Sequence, residues 1–234
     1  MLDEVTRYPR YWWRRWRQPL VVTVHGTQLE LGPHLTPELR DAVYKGRYER
    51  SEARCLNCLL KASDTVMEIG AGIGFLSTLA ALRIGSDRVH AYEANPAMIP
   101  VIERTYALNG VQPSLTNATL GESDGTVEFF VEENLTESSL FRRSDSAKAV
   151  SVPRLDINRE IERIRPTVLV IDIEGAECEL VPLIRWQAIE KVLIDLHPFV
   201  IGEEKVKDVV AEIMAAGFTV DRRRSGTIKK LLVR

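Results

Sequence analysis

The period of apolar positions changes several times along this chain. Between residues 20 and 31 apolar and polar positions alternate on either side of His25-Gly26, most cleanly at Leu29-Glu30-Leu31. A two-residue period broken by a glycine turn predicts a β-hairpin. The period then lengthens, and residues 36–45 and 49–61 read as helices. The second carries Ala53, Leu56, Leu59 and Leu60 on one face. From residue 65 short apolar runs alternate with longer helical stretches. Strands are predicted at 66–69, 89–93, 115–119 and 125–131, with helices at 73–84, 96–109 and 155–164. A strand at 167–172, a helix at 176–184, a strand at 192–195 and a helix at 203–216 continue the series. Residues 218–220 and 227–233, separated by Ser225-Gly226, end it as an antiparallel hairpin. Alternation of this kind predicts an α/β fold: a mostly parallel sheet covered on both faces, made mixed by the last hairpin. The reading divides the chain into an N-terminal extension at 1–49 and a main domain at 50–234.

Composition narrows the function classes. The formal net charge of −2 gives no general basis for binding nucleic acid. No apolar run approaches the ~18 residues of a membrane span, and the first residues lack the apolar middle of a signal peptide. A cytoplasmic protein is expected. Cys55-Leu56-Asn57-Cys58 has metal or redox spacing but no second pair, so it reads as two small residues packed one helical turn apart. Residues 7–17, RYPRYWWRRWR, interleave arginines with aromatics. Such an arm docks on its own domain, supports a homodimer, or makes peripheral contact with an anionic membrane.

The first candidate site follows the strand at 66–69. Glu68-Ile69-Gly70-Ala71-Gly72-Ile73-Gly74 is a glycine-rich turn into a helix, where amides lie open to a ligand. Phe75 breaks the dinucleotide fingerprint, and no Gly-Lys-Ser/Thr follows to cradle a triphosphate. Glu93 ends the next strand, about 20 residues on, where a carboxylate accepts the hydroxyls of a ribose. Glu68 would repel a pyrophosphate but suits an ammonium. S-adenosylmethionine has a ribose, an amino-acid ammonium and no phosphate. Glu68, Gly70, Ala71, Gly72, Glu93 and Ala94 are therefore candidate cofactor contacts.

Glu68 to Gly74, Tyr92-Glu93-Ala94-Asn95-Pro96, Asn109-Gly110 and Asp172-Ile173-Glu174-Gly175-Ala176-Glu177 together resemble the FkbM family of S-adenosylmethionine-dependent methyltransferases. Tyr48-Glu49-Arg50-Ser51-Glu52 is similar to the family's lead-in, and the likeness covers roughly residues 44–200. The resemblance implies a Rossmann-like class I methyltransferase fold, with a seven-stranded sheet whose final strand is reversed. It also implies methylation of hydroxyl oxygens, often on sugars or secondary metabolites, and by analogy an adenine near Asn117 and Thr119. Three positions depart from the family: Glu68 and Gly72, where it often has Asp and Asn, and Val170, where it commonly has Lys.

The second candidate site is acidic. Open parallel sheets bind ligands beyond the carboxyl ends of their strands. Asp172 ends one such strand, Glu174 follows in the loop, and Glu177 opens the next helix, where an acid also suits the helix dipole. Asp172 can face cofactor, metal or substrate. Asp195 and His197 end the following strand. His197 is the one histidine at a predicted sheet end, unlike His25, His34 and His90. Two schemes fit. Either His197 or one of Asp172, Glu174 and Glu177 is a general base on an acceptor hydroxyl, or Asp172, Glu174 and His197 hold a divalent ion such as magnesium. The acceptor is a small molecule or glycan under the leading reading. Transfer to an amine and a non-catalytic binding protein are the alternatives. Asn134 to Leu140 lie in a long connection that could line the acceptor pocket.

Overall fold

A computed structural model describes residues 9–33, 35–132 and 138–234 of the protein. Helix α1 (Pro9–Arg17) precedes the hairpin β1 (Val21–Val24) and β2 (Thr27–Glu30), then helices α2 (Pro37–Tyr44) and α3 (Arg50–Leu59). The α/β series follows as β3 (Val66–Ile69), α4 (Phe75–Ile84), β4 (Val89–Glu93), α5 (Ile99–Asn109) and β5 (Ser114–Asn117). Next come β6 (Thr119–Gly121), β7 (Gly125–Val131), β8 (Lys148–Asp156), α6 (Ile157–Ile164), β9 (Val168–Ile171) and α7 (Glu177–Leu180). The chain closes with β10 (Lys191–Asp195), α8 (Pro198–Ile201), α9 (Glu203–Ala215), β11 (Thr219–Val220) and β12 (Lys229–Val233).

The main sheet has seven strands in the order β11-β12-β10-β9-β3-β4-β5. All neighbours are parallel except β12, which runs against both β10 and β11. This is the expected mixed sheet with a reversed final strand. Alternate residues of the central strands face opposite cores. Val66, Val168, Val170 and Leu193 pack beneath α4 together with Leu29, Val43 and Leu56 from the N-terminal elements. Met67, Leu169, Ile171 and Ile194 pack on the other side with Ile157, Leu180 and Ile213. Residues before 50 thus share a core with the main sheet. Among the described residues no helix is long and apolar enough to cross a membrane.

Several expected elements are displaced for identifiable reasons. The run at 115–119 divides: Ser114–Asn117 joins the main sheet, and Thr119 begins a strand of a second, three-stranded sheet ordered β6-β8-β7. The helix expected from 155 starts at Ile157, because Asp156 caps it by accepting from the amides of Asn158 and Arg159 at 2.8 and 3.2 Å. The helix expected over 176–184 is one α-turn, and Val181–Leu183, with Pro182 inside it, tightens into a 3₁₀ turn.

Candidate active site

Strand register builds the site. Ile69, Tyr92, Ile171 and Ile194 lie abreast across four parallel strands. The next residues, Gly70, Glu93, Asp172 and Asp195, therefore leave the sheet side by side. Gly70 is needed where the strands converge: it has φ +87°, and a Cβ there would lie 1.7 Å from the Asp172 carbonyl oxygen.

A cleft of about 350 Å³ opens above these strand ends. Glu68, Gly70, Ala71, Gly72, Glu93, Ala94 and Thr119 all line it, with Asp172 and Glu174 opposite. Glu93 Oε2 accepts from the Gly72 amide at 2.9 Å and Oε1 from the Asn95 amide at 2.8 Å, so the carboxylate ties the second strand to the glycine turn. Burial nevertheless pushes its carboxyl up to about 7. Glu68 is buried, accepts from Ser77, and leaves Oε2 without a partner. Burial, then the charges of Glu49 and Glu93, raise it to about 8. A buried carboxyl with a spare oxygen calls for a cation. The ammonium of S-adenosylmethionine fits that demand, the Glu93 edge fits the ribose, and Ala94, Met98, Ala118 and Phe129 supply apolar walls for a base. Asn117 stands outside the lining: its Nδ2 donates to the carbonyls of Glu93 and Ala94 at 2.8 and 3.1 Å, fixing the turn behind the cleft.

The acids cluster on the opposite wall. The turn after β9 is tight, with Glu174 at φ +55° and Gly175 at φ +108°. Glu174 is held there by Arg143, whose Nη2 donates to its carbonyl oxygen at 2.6 Å and its Oε2 at 2.8 Å. Glu177 is fully buried, and its Oε1 lies 2.7 Å from Nδ1 of His197, which precedes α8. Nε2 of His197 then lies 3.6 Å from Asp172 Oδ1 and 3.5 Å from Glu174 Oε2. Burial opposes the imidazolium, but the Glu177 hydrogen bond and the charges of Glu174, Glu177 and Asp195 outweigh it and raise the His197 pKa above 6.5. Burial and the surrounding acids push the Asp172 carboxyl well above the ordinary carboxylate range. Asp195 rises to about 6, chiefly from burial.

Asp172, Asp195 and His197 each offer one ligand atom, and these atoms lie within 4.8 Å of one another. Two carboxylates and an imidazole suit a hard or borderline divalent ion. Asp195 stands in this set where the sequence suggested Glu174, whose carboxylate is taken by Arg143.

Comparison with known proteins agrees with this fold. The model of the methyltransferase FkbM domain matches residues 68–219. The chain belongs to the FkbM methyltransferase family. The solved FkbM methyltransferase of Methylobacillus flagellatus KT superposes with a TM-score of 0.50 at 15% identity, over 86% of this chain and 56% of that one. The tRNA (uracil-54, C5)-methyltransferase of Pyrococcus abyssi, solved with S-adenosyl-L-homocysteine, gives 0.51 at 11% identity, over 92% and 44%. At such identities the likeness is one of fold. The ribosomal protein L11 methyltransferase of Bacillus cereus (strain AH820) is 28% identical over 142 residues, 58% of this chain and 45% of that protein. The chain thus spans less than half the length of the curated relatives it matches. Family and fold identify the cofactor as S-adenosylmethionine.

Three residues beside the acids, Lys229, Glu49 and Arg143, were not singled out from sequence as site residues. Lys229 lies abreast of Asp195 in the antiparallel β10–β12 pair, with Nζ 3.3 Å from Asp195 Oδ2 and an ion pair to Glu52. Val170, where the family often has a lysine, is buried in the core. The cation beside Asp195 comes instead from the last strand, a pairing that the hairpin register contains. Glu49 lines the cleft, with its carboxyl raised to about 7 by burial. Arg143 follows a segment, Asn134 to Glu137, that lies outside the described residues, as does His34. Of the expected acceptor loop, Ser138 and Leu140 reach the cleft.

Proposed function

We propose that this FkbM-family protein transfers the methyl group of S-adenosylmethionine to a hydroxyl oxygen of a small sugar-like or secondary-metabolite acceptor, with His197 as general base. The observation that carries the reading is the Glu177–His197 pair. A fully buried carboxylate holds Nδ1 at 2.7 Å and turns Nε2 toward the two cleft carboxylates. The bound cofactor supplies an electrophilic methyl on sulfur. Glu68 holds the ammonium and Glu93 the ribose hydroxyls, so the donor is fixed and only the acceptor approaches. His197 takes the acceptor proton at Nε2, and Glu177 stabilises the imidazolium through Nδ1. Asp172 orients the hydroxyl, and Glu174, held by Arg143, borders its approach.

His197→Ala is expected to lower turnover by about 10²–10⁴-fold while cofactor affinity changes less than about twofold. The wild-type rate should climb with pH on the basic side of 6.5, because the raised His197 pKa must be passed to free the base. Product analysis with paired hydroxyl and amine acceptors tests the rest. Recovery of only N-methyl product overturns oxygen transfer, and a wild-type rate in the alanine variant removes His197 as the base.

A second reading rests on the Asp172, Asp195 and His197 group, whose ligand atoms lie close enough to share one divalent ion. Under it Asp172, Asp195 and His197 would hold the ion, which would supply Lewis-acid activation of the acceptor hydroxyl. Rate loss on chelation, restored by magnesium, would make His197 a ligand rather than a base.

A further inference from the structure

Helix α1 is turned inside out relative to the rest of the chain. Its one buried residue is Tyr11, whose hydroxyl donates to Asp41 Oδ1 at 2.8 Å where α1 rests on α2. Trp12, Trp13 and Trp16, at i, i+1 and i+4, face away from that contact and are 51, 54 and 75% exposed. Leu20 and Val21 are exposed just beyond them. Five of the nine large apolar side chains exposed on the described surface thus fall within residues 12–21. Isolated exposed apolar residues are ordinary, but a cluster of this kind marks a surface that meets something apolar.

The same helix is basic. It contains Arg10, Arg14, Arg15 and Arg17 and no acid. Arg14 is spent on the Tyr44 and Thr23 carbonyls at 3.0 Å each, and Arg15 meets Asp41. Arg17 stacks on the Trp16 ring at 4.7 Å. Among the described residues neither Arg10 nor Arg17 meets a carboxylate. Arg10, Trp13 and Arg14 form, with Pro19, Val21 and His25, a groove of about 660 Å³ between α1 and the hairpin. Two guanidinium groups, Arg10 and Arg14, line the same groove and repel one another, so it holds a positive potential that an anion would relieve.

We propose that this face docks on an anionic lipid bilayer, with a phosphate headgroup in the Arg10–Arg14 groove and the three indoles at headgroup level. Indoles favour a boundary that is apolar on one side and wet on the other. Arginine stems lie along such a boundary while the guanidinium meets phosphate. A second copy of the chain fits less well, since a twofold contact through α1 brings arginines against arginines.

Cosedimentation with vesicles at low salt tests the proposal. The protein should bind vesicles containing phosphatidylglycerol and not pure phosphatidylcholine, and release them as salt rises. Its tryptophan emission should shift to the blue on binding. The triple variant Trp12→Ala, Trp13→Ala, Trp16→Ala and the double variant Arg10→Glu, Arg17→Glu should each lose at least about tenfold in vesicle affinity, with unchanged affinity for S-adenosylmethionine. Failure of the wild-type protein to bind anionic vesicles overturns the proposal. So does equal binding by the variants, or dimerisation lost in either variant. If a variant fails to fold, brominated lipid decides with the wild-type protein: quenching of tryptophan emission is expected, and none refutes insertion.

Discussion

The two ends of one parallel sheet treat carboxylates in opposite ways. At the amino end, Asp64 precedes β3 and meets Lys191, the first residue of β10, with Nζ 2.9 and 2.7 Å from its two oxygens. The Lys61 amide at 2.6 Å and the Thr167 hydroxyl at 2.9 Å complete its partners. Burial raises the Asp64 carboxyl, but these donors outweigh it and hold the pKa below 3.8. At the carboxyl end of the same strands, Asp172, Asp195, Glu174 and Glu177 surround one imidazole, and Glu68 has an orphaned oxygen. Asp172, Asp195 and Glu68 are shifted upward. Paired acids at one end stabilise the fold. At the other end partners are fewer than acids, and raised carboxyls such as Asp172 and Glu68 stand to gain from a cation that binds.

Breaking the amino-end pair should have the largest effect. Asp64→Ala leaves Lys191 buried without its counter-charge, at an expected cost of about 3–5 kcal/mol in denaturant unfolding. Cofactor affinity of the remaining folded protein should not change. A loss below about 1 kcal/mol would mean that the pair is as replaceable as a surface bridge. Glu68→Gln should act in the reverse sense on stability. It removes a carboxyl raised to about 8 by burial, so the cofactor-free protein should melt a few degrees higher at pH 8. Cofactor affinity should fall by about 10–100-fold, since the ammonium loses a charged acceptor. Destabilisation with unchanged affinity would make Glu68 structural and erase the contrast between the two ends.

The contrast was partly legible in the chain. Glu68, Glu93 and Asp172 each end an apolar run, and parallel strands bring such positions together. The Asp64–Lys191 pair was hidden, because 127 residues separate partners that only strand register joins. Lys229 was hidden for the same reason. Strand β8 was missed because Pro153 sits inside it. That proline is tolerated because β6 pairs only with Arg154 to Asp156, which leaves Pro153 paired on the β7 side alone. The hairpins and the α/β alternation, whose signals are local, were read correctly. Helix starts were misread where a cap stops the helix short of its apolar pattern, as Asp156 does and as Gly74 does at φ +75°.

The smallest expected effect is a slope. Asp64 has a depressed pKa, so its stabilisation is complete above about 3.8 and is lost as pH falls through the lower folded value. Glu68, with an ordinary value of 4.5 and a folded value of about 8, costs nothing below 4.5, and its penalty grows as pH rises toward 8. Glu93, raised to about 7, adds in the same direction. The cofactor-free protein should therefore be most stable near pH 4.5–5 and lose stability steadily toward pH 8, seen as a falling melting temperature. With the ammonium at Glu68 as proposed, saturating S-adenosylhomocysteine should flatten that slope, because the ligand would favour the ionised carboxylate. Melting curves from pH 4.5 to 8, with and without the ligand, check both statements. A slope that the ligand leaves unchanged would locate the titrating groups away from the cleft, and the acids at the carboxyl end would then be no more available to a ligand than Asp64.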